Sequence, residues 1–446
     1  MNKKIFSITN LFLFSLLFIV ISNAQPFDPP EWCYDKTIYE VNIRQYSEAG
    51  NFKEFEKQLP RLKEMGVGIL WLMPIHPIGK LNRKGTLGSY YSVKDYKAVN
   101  PEFGTLEDFK SLVEKIHEMG MYVIIDWVAN HTAWDNEWMT THPEFYTKDS
   151  LGNVIPPVPD WQDVADLNYD NQELRKEMID ALKFWVKECD IDGYRCDVAG
   201  MVPIDFWIDA RTELEKIKKV FMLAEWETPE IHEAFDMSYD WNMYKLLNGI
   251  AKGERSANDL AKLIKMNEMR FPSDAFKMQF TSNHDENTWN GTAFDRLGDA
   301  AEISAVFTFM IPDMPLIYSG QEAGNKKRLE FFDRDPIEWK QFKFESLYAS
   351  LIRLKQTNES LLCGSKGGAI NFLFTNPDSC TLAFTREQNE DKVIALFNFS
   401  KDIRNIKIDD ENISGNYIDY FSGEPKAFTK HAIFSMKPWE YRIFVK

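Results

Sequence analysis

The sequence is short of cysteine, short of positive charge and, after its first two dozen residues, free of long apolar runs. Only five cysteines occur: Cys33, Cys189, Cys196, Cys363 and Cys380. An odd number at wide spacing is not a disulfide framework, and no metal-ligand spacing appears. A pairing of Cys363 with Cys380 stays open. Cys196 is flanked by inward-pointing residues and reads as core. Lys and Arg number 52 against 68 Asp and Glu, giving a formal charge of −16. Such a chain is a poor match for nucleic acid or anionic lipid, and a neutral substrate fits better. No later apolar run is long enough to span a bilayer. Internal repeats and low-complexity tracts are missing too.

The one long apolar run is N-terminal. Lys3-Lys4 precede Ile5 to Ile21, and Ser22-Asn23-Ala24 follow. This is the order of a signal peptide, cut after Ala24 to leave Gln25. The alternative, a retained anchor, is disfavoured by the small residues Ser22 and Ala24. No Cys follows them, which disfavours a lipid anchor. The expected chain is exported, to the periplasm or the medium, with no membrane contact after removal of 1–24.

The remainder is rich in core material, with 44% hydrophobic and 14% aromatic residues overall, enough for more than one domain. Val67 to Met73 and Met121 to Val128 are continuous apolar runs, as expected of strands covered on both faces. Between them, Leu106 to Met119 has helical spacing and is closed by Gly120. Thr37 to Asn42 reads as a first strand, followed by a helix from Phe55 to Met65. The alternation continues. Helices are expected at Leu174 to Glu188, Pro203 to Ile217, Met243 to Ile250, Ala257 to Met269, Ala300 to Phe309 and Phe344 to Lys355. Strands are expected at Gly193 to Cys196, Val220 to Ala224, Met237 to Asp240, Phe276 to Thr281 and Met314 to Ser319. Eight strands with intervening helices predict an α/β fold, a (β/α)8 barrel over 25–359. Residues 132–165, rich in Trp, Pro and Asp, form a subdomain inserted after the third strand. After about Ser360 the short strands Ile370 to Phe374, Thr381 to Thr385, Lys392 to Phe397, Ile403 to Ile408 and Tyr441 to Val445 alternate with turns, predicting a C-terminal all-β sandwich over 360–446.

Carboxylates collect at the C-terminal ends of these strands. Asp126 ends the third, Asp197 the fourth, Glu225 the fifth, and Asp285 follows the seventh. That face is where barrel active sites are built. In Gly193-Tyr194-Arg195-Cys196-Asp197, residues two apart share a face, so Arg195 flanks Asp197. Alone, this reads equally as a structural ion pair at a strand end. Four acids with His131, His284 and Arg195 at one mouth are costly without a purpose. Two carboxylates across a sugar ring give glycoside hydrolysis. Asp197, held ionised by Arg195, suits the nucleophile. Glu225, followed by Trp226 and with no Arg near in sequence, suits the proton donor. Asp285 would stabilise oxocarbenium-like charge. His131 and His284 can donate to the sugar's hydroxyls, and Tyr91 reads either as a stacking platform for the sugar or as a half-buried loop tyrosine.

Asp126 to His131, Gly193 to Asp197, Glu225 and Asn283-His284-Asp285 resemble the four signature regions of the alpha-amylase family of glycoside hydrolases. Trp71-Leu72-Met73-Pro74-Ile75, Asp166-Leu167-Asn168 and Gly320-Gln321-Glu322 are secondary matches. The resemblance runs from Tyr39 to about Trp339. It implies nucleophile Asp197, acid/base Glu225 and transition-state stabiliser Asp285, a retaining mechanism, and Tyr91, Asp126, His131, Arg195 and His284 as substrate-binding residues lining the subsite. Many members bind calcium through positions matching Asn130, Asp166 and a His four residues past the nucleophile. Here that position is Met201, a poor ligand for a hard cation, so no cofactor is expected to be required.

The expected activity is endo-type hydrolysis of α-1,4 bonds in starch, glycogen or maltooligosaccharides. The alternatives are a neopullulanase-like, α-1,6-acting or glucosyl-transferring enzyme, and a non-catalytic glucan-binding protein. The intact Asp197, Glu225 and Asp285 argue against the last.

Overall fold

The computed structural model describes residues 27–373 and 378–446. The signal peptide read at 1–24 and the strand end read at Phe374 lie outside these. Eight parallel strands close a barrel: β1 (Ile38–Val41), β2 (Ile69–Leu72), β3 (Tyr122–Trp127), β4 (Gly193–Cys196), β5 (Phe221–Ala224), β6 (Met237–Tyr239), β7 (Phe276–Gln279) and β8 (Met314–Tyr318). Each lies beside its neighbour in sequence. β8 closes on β1 with Ile38 opposite Leu316.

The period-two alternation of strands sorts the apolar residues into two cores. Ile38, Ile69, Trp71, Ile124, Leu223 and Met278 fill the barrel. Tyr39, Leu70, Val123, Tyr194 and Cys196 face the surrounding helices. Cys196 is therefore outward core, as the sequence implies. Each fully buried Leu, Ile or Phe contributes about 1.5–3 kcal/mol, and this scaffold offsets the cost of the charges placed above it. Gly193 opens β4 at φ +153°, and a Cβ there would stand 1.9 Å from the Phe221 carbonyl oxygen. Only glycine lets β4 and β5 approach at this point.

The helices follow their capping chemistry. Leu106–Glu118 starts from a capping box of Thr105 and Asp108 and ends before Gly120 at φ +70°. Gln172–Cys189, capped by Asn171, leads into β4. The single helix expected from Phe55 to Met65 is instead two, Phe52–Glu56 and Leu59–Met65. Pro60 has no N–H to bond back one turn, so the helix restarts with proline in its first turn.

After β3 the chain leaves the barrel for the inserted segment. His131–Ala133 pairs antiparallel with Val164–Asp166, His131 opposite Asp166, and this two-stranded sheet ties the insert's ends together. The C-terminal region is all β. Ile370–Phe372, Thr381–Gln388, Asp391–Asn398, Tyr441–Val445, Gly415–Asp419 and Pro425–Phe428 form one sheet in that order; Arg404–Asp409 and His431–Met436 form a second. Ile394, Leu396, Ile406, Phe434 and Phe444 pack between the sheets. Phe397 packs against Phe307 of the barrel helix Ala301–Met310, ring centroids 5.3 Å apart. The strands at 415–419, 425–428 and 431–436 are additions to the sequence reading. Few of their residues are buried, and Pro425 sits on an edge where no ladder donor is needed. Cys363 and Cys380 are free thiols, as are the other three. Cys363 is buried against the Asp313 carbonyl, 3.4 Å away.

Candidate active site

Arg195 is the hub of the barrel mouth. β4 aims it inward, with Asp126 of β3 as its register partner. Nη1 donates to Asp126 Oδ1 at 2.9 Å and to Asp197 Oδ1 at 3.1 Å. Nη2 stands 2.9 Å from Glu225 Oε2. Nε donates to the Tyr239 hydroxyl at 3.2 Å. The guanidinium is fully buried among the rings of Trp71, Tyr91 and Tyr239, 5.1 to 5.8 Å from their centroids. One planar fork with several donors thus holds three carboxylates, which a point cation cannot do.

Glu225 gains a second donor from the turn after Asp197. Val198 has φ 37°, ψ 46°, and its N–H donates to Glu225 Oε2 at 2.8 Å. A β-branched residue in the left-handed region costs on the order of 1–3 kcal/mol. With Oε2 accepting from Val198 N–H and ion-paired to Arg195 Nη2, Oε1 is the oxygen left to carry or take a proton.

Asp285 sits in the first turn of the helix His284–Asn290, capped by Asn283. The spacing of four brings Trp289 beside it, and Trp289 Nε1 donates to Asp285 Oδ1 at 3.3 Å. His284 Nε2 lies 3.3 Å from Asp285 Oδ2 and 2.8 Å from the Tyr91 hydroxyl. Its Nδ1 bonds Glu40 of β1. The Tyr91 hydroxyl also donates to Asp126 at 3.1 Å.

The titration of these groups follows from five carboxylates around two cations. Burial opposes protonation of His284, but Asp285 and Glu40 outweigh it and hold the imidazole well above its ordinary range. Burial raises Asp285, yet His284, Arg195 and the Trp289 bond bring its carboxyl below the ordinary value. Asp126 is pushed up to about 6 by burial, against Arg195. Burial brings His131 down to about 3, so it is neutral. Asp197 is raised well above the carboxylate range by burial and then by Glu225, with Arg195 opposing. This corrects the reading that Arg195 alone keeps Asp197 ionised. One guanidinium divided among three acids is outweighed by burial and a like charge.

Other readings shift too. Tyr91, His131, Asp197, Glu225 and Asp285 line a cleft of about 370 Å³. Asp126 and Arg195 are fully buried and His284 is 2% exposed. These three were read as subsite lining, but they stand one layer below the cleft surface and position the groups that line it. Glu225 has an arginine after all, supplied from β4, because strands adjacent in space need not be adjacent in sequence. Trp226 packs over Gly200, where a Cβ would come 2.1 Å from its ring. Tyr91 contributes its hydroxyl as well as its face.

The sequence reading missed Glu40, Tyr239 and Trp289. Glu40 could have been found as the one charge inside an apolar strand, and Trp289 from its spacing to Asp285. Tyr239 carried no signal, since aromatic residues are ordinary in strands.

Asn130, Asp166 and Met201 do not fit a calcium ion. The Asn130 side-chain nitrogen lies 3.3 Å from His131 Nδ1, and the Asn130 backbone carbonyl accepts from Leu167 N at 3.1 Å. Met201 offers a 40% exposed thioether. Among the described residues no three His, Cys, Asp or Glu are placed to hold a metal. The first two residues instead stitch the insert to β3.

Comparison with known proteins bears on this geometry. The family model "Alpha amylase, catalytic domain" matches residues 35–151 and 159–359. An alpha-amylase of Haloarcula japonica is 26% identical over 86% of this chain, which spans 58% of that relative's length. A solved alpha-amylase from Lactobacillus plantarum is 32% identical with TM-score 0.83, covering 92% of this chain and 99% of its own. A noncanonic maltogenic alpha-amylase from Thermotoga neapolitana is 31% identical with TM-score 0.85, covering 92% and 98%.

Proposed function

The chain belongs to the alpha-amylase family of glycoside hydrolases, enzymes acting on α-glucosidic bonds, and within it we propose retaining hydrolysis of α-1,4 links in starch, glycogen or maltooligosaccharides. The observation that carries this reading is one Arg195 guanidinium engaging Asp197 and Glu225 on neighbouring nitrogens, with Asp285 on the same cleft.

Burial and the neighbouring Glu225 favour a proton on Asp197 in the resting site. Double displacement needs that proton on Glu225. Its Oε2 is occupied by Val198 N–H and Arg195, so a glycosidic oxygen arriving at Oε1 gives the proton an acceptor. Asp197, once deprotonated, attacks the anomeric carbon while Glu225 protonates the leaving oxygen. Asp285, held ionised by His284, faces the positive charge that develops on the ring. Water then attacks the glycosyl-enzyme, deprotonated by Glu225. Digestion of starch, pullulan and maltooligosaccharides with separation of products tests the linkage. Maltose and glucose from starch, with pullulan opened only at its α-1,4 bonds, is the expected pattern. Maltotriose from pullulan would favour the α-1,6 alternative.

Stereochemistry gives a test independent of linkage. Two inversions return the α-anomer, so proton NMR before mutarotation shows α-anomer first. An initial β-anomer would make Asp197 a base acting through water.

Calcium is not required under this proposal. After exhaustive chelation, activity and thermal midpoint are expected to stay within error of the untreated protein. A loss of both that calcium alone restores would mean that Asn130, Asp166 and loop oxygens suffice for a site.

Export remains part of the proposal, on Lys3-Lys4, the run Ile5–Ile21 and Ser22-Asn23-Ala24. N-terminal sequencing of protein recovered outside the cytoplasm is expected to begin at Gln25.

A further inference from the structure

Three loops meet at the cleft, and a lysine joins two of them. The loop 79–88 lies between β2 and the helix Leu106–Glu118. On one flank it is fastened to the loop after β8: Leu87 N donates to the Phe332 carbonyl at 3.0 Å, and Thr86 N donates to Asp333 Oδ1 at 3.0 Å. Gly85, at φ +63°, lies so close that a Cβ would meet Phe332 Cβ at 2.4 Å. Within the loop, Arg83 donates to the Gly79 and Ile78 carbonyls at 2.8 and 3.2 Å and fixes its course. On the other flank the inserted segment approaches. Lys84 Nζ donates to the Asp160 carbonyl at 3.0 Å and pairs with the Asp163 carboxylate at 2.8 Å.

Asp163 is 5% exposed. Its pair with Lys84 is therefore less screened than a surface ion pair, for which the median contribution is near zero. Between Asp160 and Asp163, Trp161 stands edge-on to His131 with ring centroids 5.6 Å apart. Lys84, Asp160, Trp161, Asp163 and Phe332 all line the catalytic cleft. The cleft holds about 370 Å³, near the small end of the ~300–1,000 Å³ typical of small-ligand sites. An enzyme that cuts inside a polymer needs a groove open at both ends. Here the cleft carries a wall of three loops, two of them tied together by a side chain.

We propose that Lys84 is a specificity-determining residue: its bridge to Asp160 and Asp163 closes the cleft at one end, so the enzyme works from chain ends and releases short products. This rests on the α-glucan reading above, and it replaces the internal cutting expected from the motifs. It assigns Lys84 no part in the chemistry.

The test uses the full-length protein on amylose. Loss of iodine colour reports internal cuts, and reducing ends report all cuts. Wild type is expected to release reducing ends with little colour loss. Lys84→Ala is expected to raise colour loss per reducing end at least threefold, and Lys84→Arg, which keeps the ion pair, to stay near wild type. Thermal unfolding confirms that each variant is folded. Asp163→Asn provides a second way to open the bridge and should shift the ratio in the same direction. Colour loss in wild type as steep as an internal cutter's, or a ratio unmoved in folded Lys84→Ala and Asp163→Asn, overturns the proposal. Release of no reducing ends from amylose or maltotetraose by wild type sinks the α-glucan reading itself, and the wall's role with it.

Discussion

Asp197→Asn is expected to lower turnover by roughly 10⁴-fold or more, and Glu225→Gln by about 10²–10⁴-fold on natural substrates. The difference comes from what each group supplies. Without the Asp197 carboxylate no glycosyl-enzyme forms. Without the Glu225 proton the leaving oxygen departs unaided. An α-maltosyl substrate whose leaving group needs no proton, such as fluoride, should therefore restore the first step in Glu225→Gln and not in Asp197→Asn. The stability of Asp197→Asn is informative too. Burial and Glu225 raise the Asp197 pKa, so the folded protein favours its uncharged form. The amide mimics that form and removes a buried like charge, and the thermal midpoint should not fall. Burst kinetics and scanning calorimetry on the same preparations check both parts. Near-normal hydrolysis of starch by folded Asp197→Asn, with contaminating enzyme excluded, would end the assignment.

Much of this site was legible because a barrel converts sequence order into position. A carboxylate at a strand's end must face the mouth, so Asp126, Asp197 and Glu225 could be placed from the apolar runs before them. Asp285 followed in the same way from β7. What was not legible depends on contacts across strands. Arg195 is two residues from Asp197 but 30 from Glu225, and periodicity along one strand says nothing about a partner on the next. The charge on Asp197 was misjudged for the same reason: the number of acids sharing one guanidinium is a three-dimensional fact. Glu40 was visible as the one charge in the first strand, but its partner His284 was not readable until β8 and β1 close the barrel and bring the two together. The split at Pro60 was readable and was overlooked, since a proline two residues into an apolar-periodic run marks a restart. In the C-terminal region the strongly apolar strands were found, and the exposed edge strands were not. Edge strands contribute few buried residues and so carry a weak pattern.

The second large effect is expected at Arg195, where charge and shape can be separated. Arg195→Met removes the only guanidinium among Asp126, Asp197 and Glu225. Breaking a buried pair by deleting one partner costs about 3–5 kcal/mol, because the other charge is left uncompensated. Here three carboxylates lose the same partner, so the upper end is expected, with a midpoint lower by roughly 6 °C for a chain of this length. The deficit should depend on pH. Losing Arg195 removes the cation that opposes the raised pKa of Asp126 and Asp197, and a raised folded pKa gives stability that is lost as pH rises. The gap to wild type is therefore smaller at pH 5 than at pH 8. Arg195→Lys keeps the charge but not the fork. An ammonium cannot reach Asp126 and Asp197 through one nitrogen and Glu225 through another, as the guanidinium does at 2.9, 3.1 and 2.9 Å. Stability should largely recover, while kcat stays depressed by roughly 10²-fold or more, since small misplacement of the reacting groups is enough. Recovery of both in Arg195→Lys would reduce Arg195 to a counter-charge. Recovery of neither would show that the fork is needed to fold the barrel mouth as well as to align the two catalytic acids.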